Sequence, residues 1–127
     1  MKSLHVLGCA LSLAIASLSL AHGQEATERY LPIGQSPGQS GKTTTVGTVA
    51  AVDVQARSIT VSSDGRAANF GWNLRTRIWL DRSRQQLGTL KGAESDIQVG
   101  RRVEVSPSKT DPGVLDWIKV DHGVAPN

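Results

Sequence analysis

Between residues 43 and 121, turn signals cut the chain into short β-branched runs roughly ten residues apart, and none carries a helical stripe. That spacing constrains the fold more than any single residue. Short strands separated by Gly, Pro, Asp and Asn build small barrels or sandwiches. The first run, 43–54 (TTTVGTVAAVDV), sets Val46, Ala50, Val52 and Val54 on one parity and Val49 and Ala51 on the other. Both faces are partly apolar and Gly47 lies inside, which predicts a strand that bends or bulges. Ile59 and Val61 point inward from 58–62, and Asp64-Gly65 predicts a tight hairpin. In 67–74, Phe70, Trp72 and Leu74 share one side, with Trp72 read as core; in 77–81, Ile78 and Leu80 face inward. Residues 82–96 lack a strong period and are predicted as a long surface connection with a helical turn around 85–90. Ile97 and Val99 anchor a turn, Gly100 permits the reversal, and Val103 and Val105 begin the next strand. After Asp111-Pro112-Gly113, a final strand carries Val114, Ile118 and Val120 on one face. The expected domain, 43–121, is an all-β small barrel of about six short strands, followed by a tail at 122–127.

The 42 residues before it divide into two. Lys2 and the uncharged apolar run 6–20 form a secretory signal pattern, too short for a confident membrane span of roughly 20 residues. Cleavage after Gly23, with Ala21 at −3, predicts a mature chain from Gln24; cleavage after Ala21 would begin it at His22. Cys9 follows Val6-Leu7-Gly8 in the manner of a lipobox, but the apolar run lies after it, so lipidation is not expected. Without Cys9 the mature chain has no disulfide, thiolate ligand or cysteine nucleophile. The predicted address is periplasmic or secreted, with no transmembrane segment in the mature chain. Residues 24–42 are rich in Gln, Gly, Ser and Pro, a composition that predicts a flexible linker.

That linker ends in GQSPGQSGKTTT, which resembles the close of a phosphate-binding loop. Such a loop needs Gly-x-x-x-x-Gly-Lys-[Ser/Thr]. Counting back from Gly41, the first glycine is replaced by Ser36, and a strand rather than a helix follows. No nucleotide and no cofactor are therefore expected.

The order GTVAAVD, SITV, DGR, TRIWL, SDIQVGRRVEV and WIKV resembles exported OB-like small β-barrel modules of bacterial envelopes, most of unknown function. The resemblance covers 43–121, and it implies a barrel rather than a chemistry. The layout is also distantly similar to periplasmic copper and silver chaperone barrels, which bind Cu(I) through His, Met and Trp. Here the only Met is Met1.

Candidate functional residues are few. The acids Asp53, Asp64 and Asp111 sit where turns want them, and an enzyme is not expected. His122, or His22 as a new amino terminus, carries the alternative of a copper-handling protein. Arginines are numerous, but acids lie among them, and the formal net charge of +3 falls further once Lys2 leaves with the leader. That disfavours nucleic acid. Trp79 and Trp117 have parity opposite to the aliphatic residues of their strands. They are expected either to cover a barrel mouth or pack against the 82–96 connection, or, with Arg77, to form a surface platform for an envelope protein, peptide or saccharide. The sequence thus suggests a non-enzymatic exported binding or accessory module.

Overall fold

The structure is a computed structural model and describes residues 28–123. The leader, Cys9, His22, residues 24–27 and the end of the tail lie outside the described residues. The chain forms seven strands: β1 (Thr45–Asp53), β2 (Ser58–Ser63), β3 (Arg66–Gly71), β4 (Arg77–Asp81), β5 (Leu90–Lys91), β6 (Arg102–Pro107) and β7 (Leu115–Asp121). All belong to one sheet in the order β3-β2-β1-β6-β7-β4-β5. Neighbours are antiparallel except β4 and β7, which run parallel. The all-β expectation holds, with seven strands where about six were expected. The sheet is not closed. Its two ends are β3 and β5, and a single parallel bridge, Gly71 to Val114, brings the end of β3 toward the start of β7. Among the described residues no helix is long and apolar enough to cross a membrane.

Local chemistry explains most of the elements. The expected irregularity in β1 is a register shift between Val49 and Ala51, which lets Val49 enter the core while the strand coils across both β2 and β6. Gly47 lets β1 pass close to β2: a Cβ there would lie 2.2 Å from the carbonyl oxygen of Ser62. Asp64 and Gly65 both have positive φ (51° and 77°), as the two-residue hairpin requires. Gly100, at φ 92°, makes the reversal before β6.

One face of the sheet buries an aliphatic core that includes Val49, Ile59, Val61, Val103, Ile118 and Val120, joined by Trp72 and Ile97. Trp72 is core, as expected, and its indole N–H donates to Glu94 (2.9 Å). Leu74 does not follow Phe70 and Trp72 inward. Leu74 is 86% exposed, because the chain leaves β3 at Gly71 and turns over 73–76, where Asn73 N–H donates to the Thr76 hydroxyl. Val99 is likewise exposed in the turn ahead of Gly100. The 82–96 connection holds two three-residue 3₁₀ turns, Ser83–Gln85 and Glu94–Asp96, and β5 between them.

The larger difference concerns the expected linker. Residues 28–44 do not hang free of the domain; they fold as consecutive turns against the second face of β6, β7 and β4. Backbone bonds such as Gln35 N–H to Pro32 C=O (3.0 Å) and Ser40 N–H to Ser36 C=O (3.0 Å) hold the turns. Gly34, Gly38 and Gly41 all have positive φ. Ile33, Ser36 and Thr44 are buried. A Gly/Gln/Ser/Pro segment predicts disorder because it has little apolar surface to bury. Here polar partners on the sheet supply what apolar surface cannot.

Candidate functional site

Alternation along β4, β6 and β7 gathers Trp79, Asp81, Glu104, Trp117, Lys119 and Asp121 on the face beneath this strap. Glu104 and Lys119 are both 0% exposed. Buried charges persist only when paired and hydrogen-bonded, and the strap supplies the partners. Glu104 accepts from Gly34 N–H (2.9 Å), the Ser40 hydroxyl (2.8 Å) and the Thr44 hydroxyl (2.7 Å). Lys119 donates to Glu28 Oε1 (2.9 Å) and to the Leu31 carbonyl (3.0 Å), and its ammonium lies 4.7 Å from the centroid of the Trp117 ring. Asp81 accepts from Ile33 N–H and Ser83 N–H, each at 2.8 Å.

The loop-like motif of the sequence therefore has an anion to hold, and it is the protein's own. Ser40, Thr44 and the Gly34 amide surround the Glu104 carboxylate, while Lys42 is exposed.

Burial alone would raise the Asp81 carboxyl. The bonds from Ser83 and Ile33, with Lys119 nearby, outweigh it and hold the group below the ordinary aspartate value. A depressed folded value contributes stability that is present above the unfolded pKa, about 3.9, and is lost as pH falls through the folded one. Asp81→Asn is expected to lower stability at pH 7 by about 1–2 kcal/mol. It should also flatten the acid-side loss below about pH 4. Urea titrations of both proteins across that range check it; parallel curves would mean that Asp81 is not the group responsible.

The expected platform is only partly assembled. Trp79 and Trp117 do meet, with centroids 5.5 Å apart and planes tilted by 34°. They are 8% and 5% exposed, so they form a second, strap-covered core rather than an open surface. Arg77 stacks on Trp79, 5.6 Å from its centroid, and stays exposed. The correction has a simple cause. Strand alternation assigns a residue to a face but does not say what covers that face.

An edge of Trp79 reaches a groove of about 480 Å³ between the start of the strap and the β4–β5 end of the sheet. Arg29, Arg75, Arg77 and Lys91 line it, with Tyr30, Leu74 and Leu90 among the apolar contributors and, among the described residues, no carboxylate. Arg29 covers the Tyr30 ring at 4.5 Å and donates to its hydroxyl. The Glu28–Lys119 pair anchors this part of the strap, so the buried face positions one wall of the groove. Sequence reasoning named Arg77 and Trp79 but missed Arg29 and Tyr30, because it placed them in a free linker.

A second basic cluster is already occupied by an acid. A space of about 150 Å³ beside Arg84, Arg101 and Arg102 already contains Asp121, which pairs with Arg84 at 2.8 Å. His122 is exposed, and no group of three His, Cys, Asp or Glu residues gathers among the described residues.

Comparison with protein-family models, curated proteins and solved structures gives no match to this chain.

Proposed function

We propose that this chain is a non-enzymatic, exported binding or accessory module, periplasmic or secreted, and that its β4–β5 groove receives an anionic ligand. The observation that carries the reading is the lining of that groove: four cationic side chains and, among the described residues, no carboxylate. Planar guanidinium forks recognise carboxylate, phosphate or sulfate oxygens in pairs. The OB-like reading of the fold belongs to the same proposal. It is supported by the antiparallel β1-β2-β3 run, the parallel β4–β7 pair and the Gly71–Val114 bridge, which curl the sheet toward closure.

Export rests on the residue pattern of 1–23. Intact mass of protein recovered from the envelope fraction is expected to place the mature terminus at Gln24, or at His22. An acylated Cys9, or an uncleaved chain, would remove that part of the proposal.

Binding is tested with polyglutamate and with a sulfated oligosaccharide at low salt, followed by tryptophan fluorescence. At least one should bind with an affinity that falls as salt rises. Arg75→Ala/Arg77→Ala should weaken it by about tenfold or more, equivalent to ~1.4 kcal/mol, while the melting temperature changes little. If neither polyanion binds, the groove is a solvated basic surface.

A further inference from the structure

We infer that the anionic ligand is an extended peptide of alternating acidic and apolar residues, which adds as a strand to the outer edge of β5. This rests on the anion-groove reading above and names its ligand class.

Among the described residues β5 ends the sheet and pairs only with β4, through Trp79 opposite Lys91 and Leu80 opposite Leu90. The neighbouring Gly92 N–H donates to the Ile78 carbonyl (2.8 Å). In an antiparallel ladder, successive residues address the partner strand and the opposite side in turn. The N–H and C=O of Lys91 therefore point away from β4, where an incoming backbone can meet them.

The two faces of this edge differ in chemistry. Lys91 shares the Trp79 face, toward Arg77, whereas Leu90 lies on the other face and is 45% exposed. A strand laid along β5 presents its side chains to these faces alternately. Acidic residues would meet Lys91 and Arg77, and apolar residues would meet Leu90. A second copy of this edge would instead set lysine near lysine, so the charge that discourages self-pairing admits an acidic strand.

A saccharide is the poorer fit. Stacking on a sugar needs an open ring face, and Trp79 is flanked by Trp117 and Arg77 while Arg29 covers Tyr30. What the groove offers is guanidinium groups and a backbone edge.

The test uses the full mature chain and fluorescently labelled octapeptides, one alternating Glu and Leu and one with four Glu followed by four Leu. The alternating peptide is expected to bind about tenfold or more tightly than the blocked one. Lys91→Ala should weaken it moderately. Lys91→Pro removes the same charge and also the outward N–H, at an edge position of the kind that tolerates proline; it should weaken binding at least about tenfold beyond Lys91→Ala, a further ~1.4 kcal/mol. If thermal melts show that the proline variant is unfolded, alternate backbone N-methylation of the peptide replaces it: one methylation frame is expected to abolish binding and the other to leave it. Equal binding of the two peptides, equal behaviour of the two Lys91 variants, or indifference to both methylation frames would overturn strand addition. Binding of the sulfated oligosaccharide without the alternating peptide would overturn it too, and leave the anion groove standing. Failure of every anion to bind would remove both.

Discussion

Glu104→Ala is expected to destabilise the protein by about 3–5 kcal/mol at pH 7. The carboxylate is fully buried and accepts from Gly34 N–H and from the hydroxyls of Ser40 and Thr44. Alanine leaves those three donors facing a void, and an unsatisfied buried donor costs about 1–3 kcal/mol. It also removes the negative charge cross-strand from Lys119, whose ion pair with Glu28 remains. In a domain of this size, 1 kcal/mol corresponds to roughly 4–8 °C in Tm, so the loss is plain in a thermal melt. Lys42→Ala is the control. Its side chain is exposed, and it should change stability by less than about 0.5 kcal/mol. A cost for Glu104→Ala below about 1 kcal/mol would mean that this carboxylate does not hold the strap.

Replacing Trp79 and Trp117 together by alanine should cost more than Trp72→Ala alone, itself about 3–5 kcal/mol. All three rings are at least nine-tenths buried. Trp72 joins the main core, whereas Trp79 and Trp117 pack on each other and carry Arg77 and Lys119 on their faces. Removing both empties the space the two rings fill, and it takes from Lys119 the ring beside its ammonium. Because the rings touch, the two single substitutions should not add. Denaturant unfolding of the single and double variants measures both quantities. A double variant more stable than Trp72→Ala would place the rings on a dispensable surface, the arrangement alternation alone suggests.

Much of the sheet was legible because its signals are local. The Asp64-Gly65 turn, the irregularity in β1 and the reversal at Gly100 follow from residues that tolerate particular dihedrals or leave out a Cβ. Ile59, Val61, Val103, Val105, Ile118 and Val120 are core because strict alternation points them one way. The method failed where a strand ended early: Leu74 keeps the parity of Phe70 and Trp72, but the turn at 73–76 had already broken the ladder. β5, only two residues long, is too short to show a period.

The candidate site was harder to see. Arg77 and Trp79 stood out, yet their role depends on Arg29 and Tyr30, nearly fifty residues earlier in a segment whose composition predicts disorder. By itself the sequence determined an all-β domain, its turns and the aliphatic face of its sheet, since φ preference and alternation act over a few residues. Only the tertiary structure decided the fate of the second face. Nothing local marks Glu104, Lys119 and Asp81 for burial, because charges are most cheaply left in water. Hydroxyls and amides of residues 33–44, together with Glu28 and the Leu31 carbonyl, replace that water, and so turn an expected tether into a cover and an expected platform into a second core.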